Sequence, residues 1–237
     1  MIDFHTHILP GIDDGSSSEK ISVMLLKKLR EQGVSKVLLT PHFYAYSSNA
    51  ENFFENRKSS AQRLLRALEN DGVDVELYLG CEILYFDDIW RLEKIKDFCI
   101  AGTEYLLLEM PFSSWTDNMV SVVEKLIGKG IVPVIAHFER YIKYKGNEEK
   151  ICTLTELGVL LQMNCSYIGK FLSRRKAIRY IKSGAVFALG TDTHNLDSRA
   201  PDYSTAIRYL GKKFSDKQIK GLFSGAQRAL ENAEKIY

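Results

Sequence analysis

The sequence predicts an α/β protein folded as a single (β/α) barrel, and three observations predict it. Seven short runs rich in Val, Ile and Leu alternate with longer stretches of helical periodicity, the pattern of a parallel sheet with crossover helices. Gly33, Gly72, Gly130, Gly158 and Gly184 each stand where a helix ends and a strand begins, the usual place of a left-handed cap. All five histidines fall at or just beyond the C-terminal end of an expected strand. In a closed barrel those ends form the active face. An open doubly wound sheet has the same periodicity. There the polar residues would be strung along an edge and could not meet, so their clustering favours closure.

The expected strands are 2–4, 36–40, 75–79, 105–108, 132–136, 159–163 and 186–189. Each is short and apolar, as a buried parallel strand should be. The expected helices are 18–32, 50–70, 116–129, 148–157, 171–183, 203–213, 215–223 and 226–236. In the first, Ile21, Leu25 and Leu29 recur on one face and lead into Val34. That helix could pack on the barrel or join a second copy in a homo-oligomer.

The chain has 237 residues, of which 45% are hydrophobic and 26% charged. One domain spanning 1–237 can bury a sufficient core without disulfides. Lys and Arg number 32 against 30 Asp and Glu, a net charge of +2 that offers no broad track for nucleic acid. No apolar run approaches the roughly 18 residues of a membrane span. Asp3, His5, His7, Asp13 and Asp14 occupy the place of a signal peptide's basic start and apolar stretch, so a cytoplasmic protein is expected. Cys81, Cys99, Cys152 and Cys165 form no CxxC pair. A cysteine-dependent phosphatase needs an Arg six residues after its nucleophile. Asp87, Tyr105, Gly158 and Phe171 stand there instead.

His5-Thr6-His7 puts two imidazoles on the same face of one extended segment. His42 closes the second strand, His137 the fifth and His194 the seventh. Glu82, Glu109 and Asp192 occupy matching positions, and Asp14 follows the Pro10-Gly11 turn. Asp13 is read as a turn cap or a solvent-facing residue. Five His and four carboxylates exceed the needs of one ion. The mixed set suits Mn, Fe, Zn or Mg better than copper or an iron–sulfur cluster. Arg140 and Arg199 near the same face add bidentate phosphate recognition. The residues therefore point to a multinuclear metallohydrolase of phosphoesters.

The run Met1-Ile-Asp-Phe-His-Thr-His resembles the opening of the polymerase-and-histidinol-phosphatase (PHP) superfamily. Asp13-Asp14-Gly15, Thr40-Pro41-His42, Ala136-His137-Phe138-Glu139-Arg140-Tyr141 and the run from Asp192 to Arg199 resemble the bacterial capsular and exopolysaccharide tyrosine phosphatases of the CpsB/YwqE type. The likeness runs through the whole chain in order. It implies a distorted seven-stranded barrel with two or three ions, Mn2+ being the expected one. His5, His7, Glu82 and Asp192 would hold the first. Glu82 would bridge to a second, with Glu109 and His137. Asp14, His42 and His194 would hold the third, and Arg140 and Arg199 would bind phosphate.

The implied substrate is the phosphotyrosine tail of a bacterial tyrosine kinase that controls polysaccharide assembly. The alternatives are a small-molecule phosphoesterase such as a histidinol phosphatase, an amidohydrolase and a non-catalytic metal-binding regulator. The basic run Arg174-Arg175-Lys176, with Arg179 and Lys182, reads as a solvated helix face or a dock for an acidic tail. Trp90, Trp115, Phe43, Tyr44 and Tyr46 could line a pocket for a phenyl ring or pack in core and loops.

Overall fold

The structure is a computed structural model and describes residues 1–69 and 71–237. In chain order the elements are β1 (Ile2–Asp3), α1 (Glu19–Glu31), β2 (Lys36–Leu39), β3 (His42–Phe43), α2 (Ala50–Leu68), β4 (Glu76–Leu79), β5 (Glu82–Leu84) and β6 (Tyr105–Glu109). Then come α3 (Asp117–Gly128), β7 (Val132–Ile135), α4 (Asn147–Glu156), β8 (Leu160–Asn164), α5 (Cys165–Gly169), α6 (Phe171–Lys182) and β9 (Ala188–Gly190). Helices α7 (Tyr203–Leu210), α8 (Asp216–Leu222) and α9 (Ser224–Leu230) complete the chain.

All strand pairs are parallel. β2 and β3 are two halves of one stave, interrupted at Pro41, which has no N–H to give. β4 and β5 are likewise interrupted at Gly80-Cys81. Bonds from Gly80 N to Leu39 O (3.0 Å) and Glu82 N to Pro41 O (3.0 Å) carry the ladder across both breaks. The described residues thus form seven staves, as expected. The sheet closes between first and last through Phe4 N to Leu189 O (3.0 Å), Asp192 N to His5 O (2.8 Å) and His7 N to Thr193 O (2.9 Å).

Period-two alternation divides the apolar residues. Leu38, Leu107, Val134 and Ala188 fill the barrel, while Val37, Leu39, Leu106, Leu108 and Ile135 face the helices. Ala226, Ala229 and Leu230 of α9 join the inner cluster beside Ile2, at the N-terminal end of the barrel. Helix α1 buries Val23, Leu25, Leu26 and Leu29, with Ser18 capping its start. Its apolar face is therefore used on the barrel. The five interelement glycines all adopt left-handed φ.

One expectation is corrected, and two further features lie outside what the sequence predicts. The last helix was expected over 226–236, but α9 ends at Leu230. The following residues run antiparallel to β4, with Ile236 N on Leu77 O (2.9 Å) and Leu77 N on Tyr237 O (3.1 Å). β4 pairs with β2 on one side only, so the tail satisfies its other edge. Between β5 and β6 there is no crossover helix but two 3-10 turns, Ile89–Arg91 and Ile95–Phe98. The helix α5 was not foreseen, being five residues without a full turn of periodicity. Of the helix expected over 50–70, position 70 lies outside the described residues.

Candidate metal centre

All nine residues expected as ligands converge on the C-terminal mouth. The Nε2 atoms of His5 and His7 face each other at 3.0 Å. Glu82, at the start of β5, reaches between them. Its Oε2 is 3.0 Å from His5 Nε2, 3.2 Å from His7 Nε2 and 3.1 Å from His42 Nδ1. Its Oε1 is 3.0 Å from His137 Nε2, which also lies 3.6 Å from Glu109 Oε1. Asp192 Oδ1 stands 3.7 Å and 3.5 Å from the Nε2 atoms of His5 and His7. Asp14 Oδ1 stands 3.6 Å from His42 Nε2 and 3.4 Å from His194 Nε2.

Three groups among the described residues bring donor atoms within 4.8 Å of one another: His5, His7 and Asp192; His42, Glu82 and Glu109; and His7, Asp14, His42 and His194. His7 and His42 each fall in two groups, so the division is less clean than the resemblance implies. Both Glu82 oxygens, His42 Nδ1 and His194 Nε2 are buried without a hydrogen bond in good geometry. Buried polar atoms of this kind are costly unless a cation takes their lone pairs. Two imidazole lone pairs at 3.0 Å repel unless a proton or cation lies between them. The donor set fits a multinuclear divalent site.

The Nδ1 atoms of His5, His7 and His194 are tied to acceptor oxygens, which fixes those tautomers. His7 Nδ1 donates to Asp13 Oδ2 (2.7 Å), and Asp13 also accepts from Gly15 N (2.9 Å) and His42 N (3.0 Å). The side chain of Asp13 is only 4% exposed, so the solvent-facing reading is wrong. It is a turn residue that also orients His7, a candidate ligand. His5 Nδ1 donates to Gln162 Oε1 (3.1 Å), which also accepts from His137 N (2.7 Å). Gln162 Nε2 donates to Asn164 Oδ1 (2.9 Å), and Asn164 Nδ2 donates to Asp192 Oδ2 (3.0 Å). His137 Nδ1 lies 3.1 Å from the Tyr141 hydroxyl, and His194 Nδ1 donates to Asp192 O (2.9 Å). Sequence reasoning missed Gln162, Asn164 and Tyr141. The available signal was two amides, two residues apart, in an otherwise apolar strand.

The backbone is tight here. His137 and Asp192 have φ of 32° and 54°, left-handed for residues with side chains. A Cβ on Gly190 would lie 2.6 Å from His5 Cβ, so only glycine lets β9 approach the HxH segment.

Burial pulls His42 and His194 down to about 4, against the pull of Glu82 on the first and of Asp192 on the second, leaving both neutral as ligands must be. Burial also pulls His7 down, but the bonds to Asp13 and Glu82 outweigh it and lift it to about 10. Burial raises Glu109 to about 8, helped by the charge of Glu82. Burial alone would raise Glu82, yet the charge of His5 and the imidazoles around it hold it well below the usual range. Arg140 and Arg199 both hydrogen-bond Asp192, Arg199 at 2.6 Å, and each keeps about a third of its side chain exposed.

Part of the basic run belongs to the fold. Arg174 donates to Ile168 O (3.2 Å) and Gly169 O (2.7 Å) and stacks on Tyr209. Lys176 pairs with Glu148 at 3.5 Å. Arg175, Arg179 and Lys182 are exposed. The cysteines are free thiols, with Cys81, Cys99 and Cys165 buried and pushed up by burial.

A parallel barrel whose C-terminal mouth gathers imidazoles and carboxylates in this way defines the class of barrel metallohydrolases. Within it, the family described as "Capsular polysaccharide synthesis, CpsB/CapC" matches residues 1–236, and the chain belongs to that family. The tyrosine-protein phosphatase CpsB of Streptococcus pneumoniae is 30% identical over 100% of this chain and 98% of its own length. The tyrosine-protein phosphatase YwqE of Bacillus subtilis is 27% identical over 98% of this chain and 92% of its own. Among solved structures, one chain described under "Crystal structures of YwqE from Bacillus subtilis and CpsB from Streptococcus pneumoniae, unique metal-dependent tyrosine phosphatases" matches with a TM-score of 0.86. That match is 25% identical and covers 99% of this chain and 96% of the other. A putative histidinol phosphatase, hisK of Listeria monocytogenes, shares the fold alone, at a TM-score of 0.52 and 11% identity over 86% of this chain and 99% of the other.

Proposed function

We propose that this chain is a manganese-dependent protein-tyrosine phosphatase. Its substrate is the phosphotyrosine tail of a bacterial tyrosine kinase that controls capsular or exopolysaccharide assembly. The observation that carries the reading is the buried crossing of His5, His7, Glu82 and Asp192, with two partly exposed arginines on Asp192. The phosphatase relatives and the family's role in capsule synthesis support it.

His5, His7, Glu82 and Asp192 would hold one ion, Glu82, Glu109 and His137 a second, and Asp14, His42 and His194 a third. Bound there, the ions supply Lewis acidity that neutralises phosphate charge and lowers the pKa of water. The chain does the rest. Asp13, Gln162 and Tyr141 hold the imidazoles in place. Arg140 and Arg199 grip the non-bridging oxygens as charge spreads over them. A tyrosyl leaving group has a pKa of about 10, well below an alkyl alcohol, so it needs less help from an acid.

No described helix is long and apolar enough to cross a membrane. A cytoplasmic single domain meeting the kinase tail fits this reading. Arg175 is, with Arg179 and Lys182, one of the exposed residues of the basic run that could dock that tail, since Arg174 is committed to the fold. Arg175→Glu should weaken binding of an acidic phosphotyrosine tail without altering hydrolysis of a small aryl phosphate.

The experiment compares phosphate release from phosphotyrosine and phosphoserine peptides and histidinol phosphate, in Mn2+ and in chelator. Release from phosphotyrosine alone, abolished by chelator, is expected. A preference for histidinol phosphate would move the function to small-molecule metabolism.

A further inference from the structure

Of the aromatic residues near the strand ends, most are accounted for by packing. Phe43 is buried among Phe53 and Phe98. Trp115 is 3% exposed and rests on Tyr141. Trp90 is covered by Arg91, Lys125 and Lys129. Two that border the mouth pack on their neighbours, Phe112 also touching Tyr141 with centroids 5.4 Å apart, yet are only partly buried. Tyr44, just after β3, stacks on the ligand candidate His42, with ring centroids 4.9 Å apart and planes 24° apart. Phe112, just after β6, lies over His137, with centroids 5.9 Å and planes 22° apart. It remains 47% exposed. Tyr46 extends the first platform, stacking on Tyr44 at 5.5 Å and 17°, and is 79% exposed.

These rings have a definite place relative to the charges. Arg140 and Arg199 follow β7 and β9 and converge on Asp192. Tyr44 and Phe112 follow β3 and β6, which flank β5 and its Glu82. Each ring borders a different imidazole in contact with Glu82, His42 on one side and His137 on the other. A phosphate held by the arginines would turn its ester oxygen across the mouth, toward the β3 and β6 side. A flat aryl group on that oxygen would come against the free edges and exposed parts of these rings, whereas a methyl group would offer far less contact.

We propose that Tyr44 and Phe112 form an aromatic wall that receives the phenyl ring of an aryl phosphate and selects it over alkyl phosphates. The inference rests on the phosphatase reading for its substrate class but not for its test. Offset and edge-on aromatic contacts reward a ring beyond the area it buries. The hydroxyl of Tyr44 is not required; its ring is.

The test uses ligands that cannot be hydrolysed. Titration calorimetry of the Mn2+-loaded chain with phenylphosphonate and methylphosphonate gives a phenyl-to-methyl affinity ratio. The wild type should prefer phenyl by about tenfold or more, and Tyr44→Ala with Phe112→Ala should bring the ratio below about threefold. Tyr44→Phe should keep it, and Phe112→Leu should lose part of it by keeping bulk without a flat face. Phe112 is nearly half exposed and Tyr44 is partly exposed, and neither belongs to the buried core, so these changes open no core cavity. A wild type that binds both phosphonates equally would overturn the wall, as would a ratio unmoved in the double alanine variant. Loss of the ratio in Tyr44→Phe would also overturn it, by assigning the selection to the hydroxyl. Phenyl preference without turnover of any phosphoester would leave the wall standing and remove the phosphatase reading. Turnover without preference would do the reverse.

Discussion

Asp13 accepts a 2.7 Å hydrogen bond from His7 Nδ1 and so turns the His7 Nε2 atom toward Glu82. The carboxylate itself is buried against the Asp13–Gly15 turn. Burial would raise it, but the His7 bond and charge hold it well below its ordinary value, so it stays an acceptor at neutral pH. Asp13→Ala should therefore weaken Mn2+ binding about 10–100-fold while leaving every ligand present, the usual cost of losing such an orienting partner. Metal titration followed by calorimetry checks it. Wild-type affinity in that variant would mean that His7 is oriented some other way.

Gln162 makes a parallel case deeper in the barrel. It orients His5 and, through Asn164, steadies Asp192. Gln162→Leu keeps the volume but removes both links. We expect a loss of about 10-fold or more in Mn2+ affinity, together with a lower melting temperature, because Asn164 is left with a buried unpaired oxygen.

The centre should also reveal itself through protons. Metal ions compete with protons for imidazole and carboxylate. His7 is raised to about 10 and Glu109 to about 8 by the surroundings described above. Both therefore carry protons at neutral pH that a metal must displace. Mn2+ affinity should rise with pH from about 6 to 9, with proton release on binding. A pH-indicator titration in weak buffer measures the protons directly. No release across that range would contradict the ligand assignment of these two groups.

Glu139, which is not itself a ligand candidate but lies two residues after His137, gives a second pH test. It is 6% exposed, and burial raises it to about 8 despite the nearby charge of Arg140. The folded state then binds a proton that the unfolded chain gives up near 4.5, so its charge costs stability as pH rises from about 4.5 to 8. Glu139→Gln removes that cost. Its advantage should grow over this interval to the order of 1–3 kcal/mol and level off above it. Denaturant melts at pH 5, 7 and 9 measure this, and a flat difference would show that Glu139 titrates normally.

Much of this molecule was legible before its structure, and for identifiable reasons. Strand ends could be found because Leu107-Leu108-Glu109 and Val134-Ile135-Ala136-His137 end abruptly in ionisable residues, a costly arrangement without a shared partner. Helix α1 was readable from the Ser18 cap to Gln32 because its periodicity and cap agree. The orienting groups were harder. Asp13 lies beside Asp14 in a turn, and local chemistry does not say which carboxylate turns inward. Gln162 was hidden in an apolar run whose two faces differ only by parity. The C-terminal tail was misread because its partner, the free edge of β4, is set by a sheet break more than 150 residues earlier.

The central claim is that His5, His7, Glu82 and Asp192 form the heart of a multinuclear centre that hydrolyses phosphotyrosine. The most direct measurement counts Mn2+ per chain by elemental analysis after dialysis, alongside phosphotyrosine-peptide hydrolysis, for the wild type, His5→Ala and Asp192→Ala. We predict about two or three ions in the wild type, at least one fewer in each variant, hydrolysis reduced by about 100-fold or more, and folded chains by circular dichroism. Variants that keep the full complement of ions and full activity would contradict it.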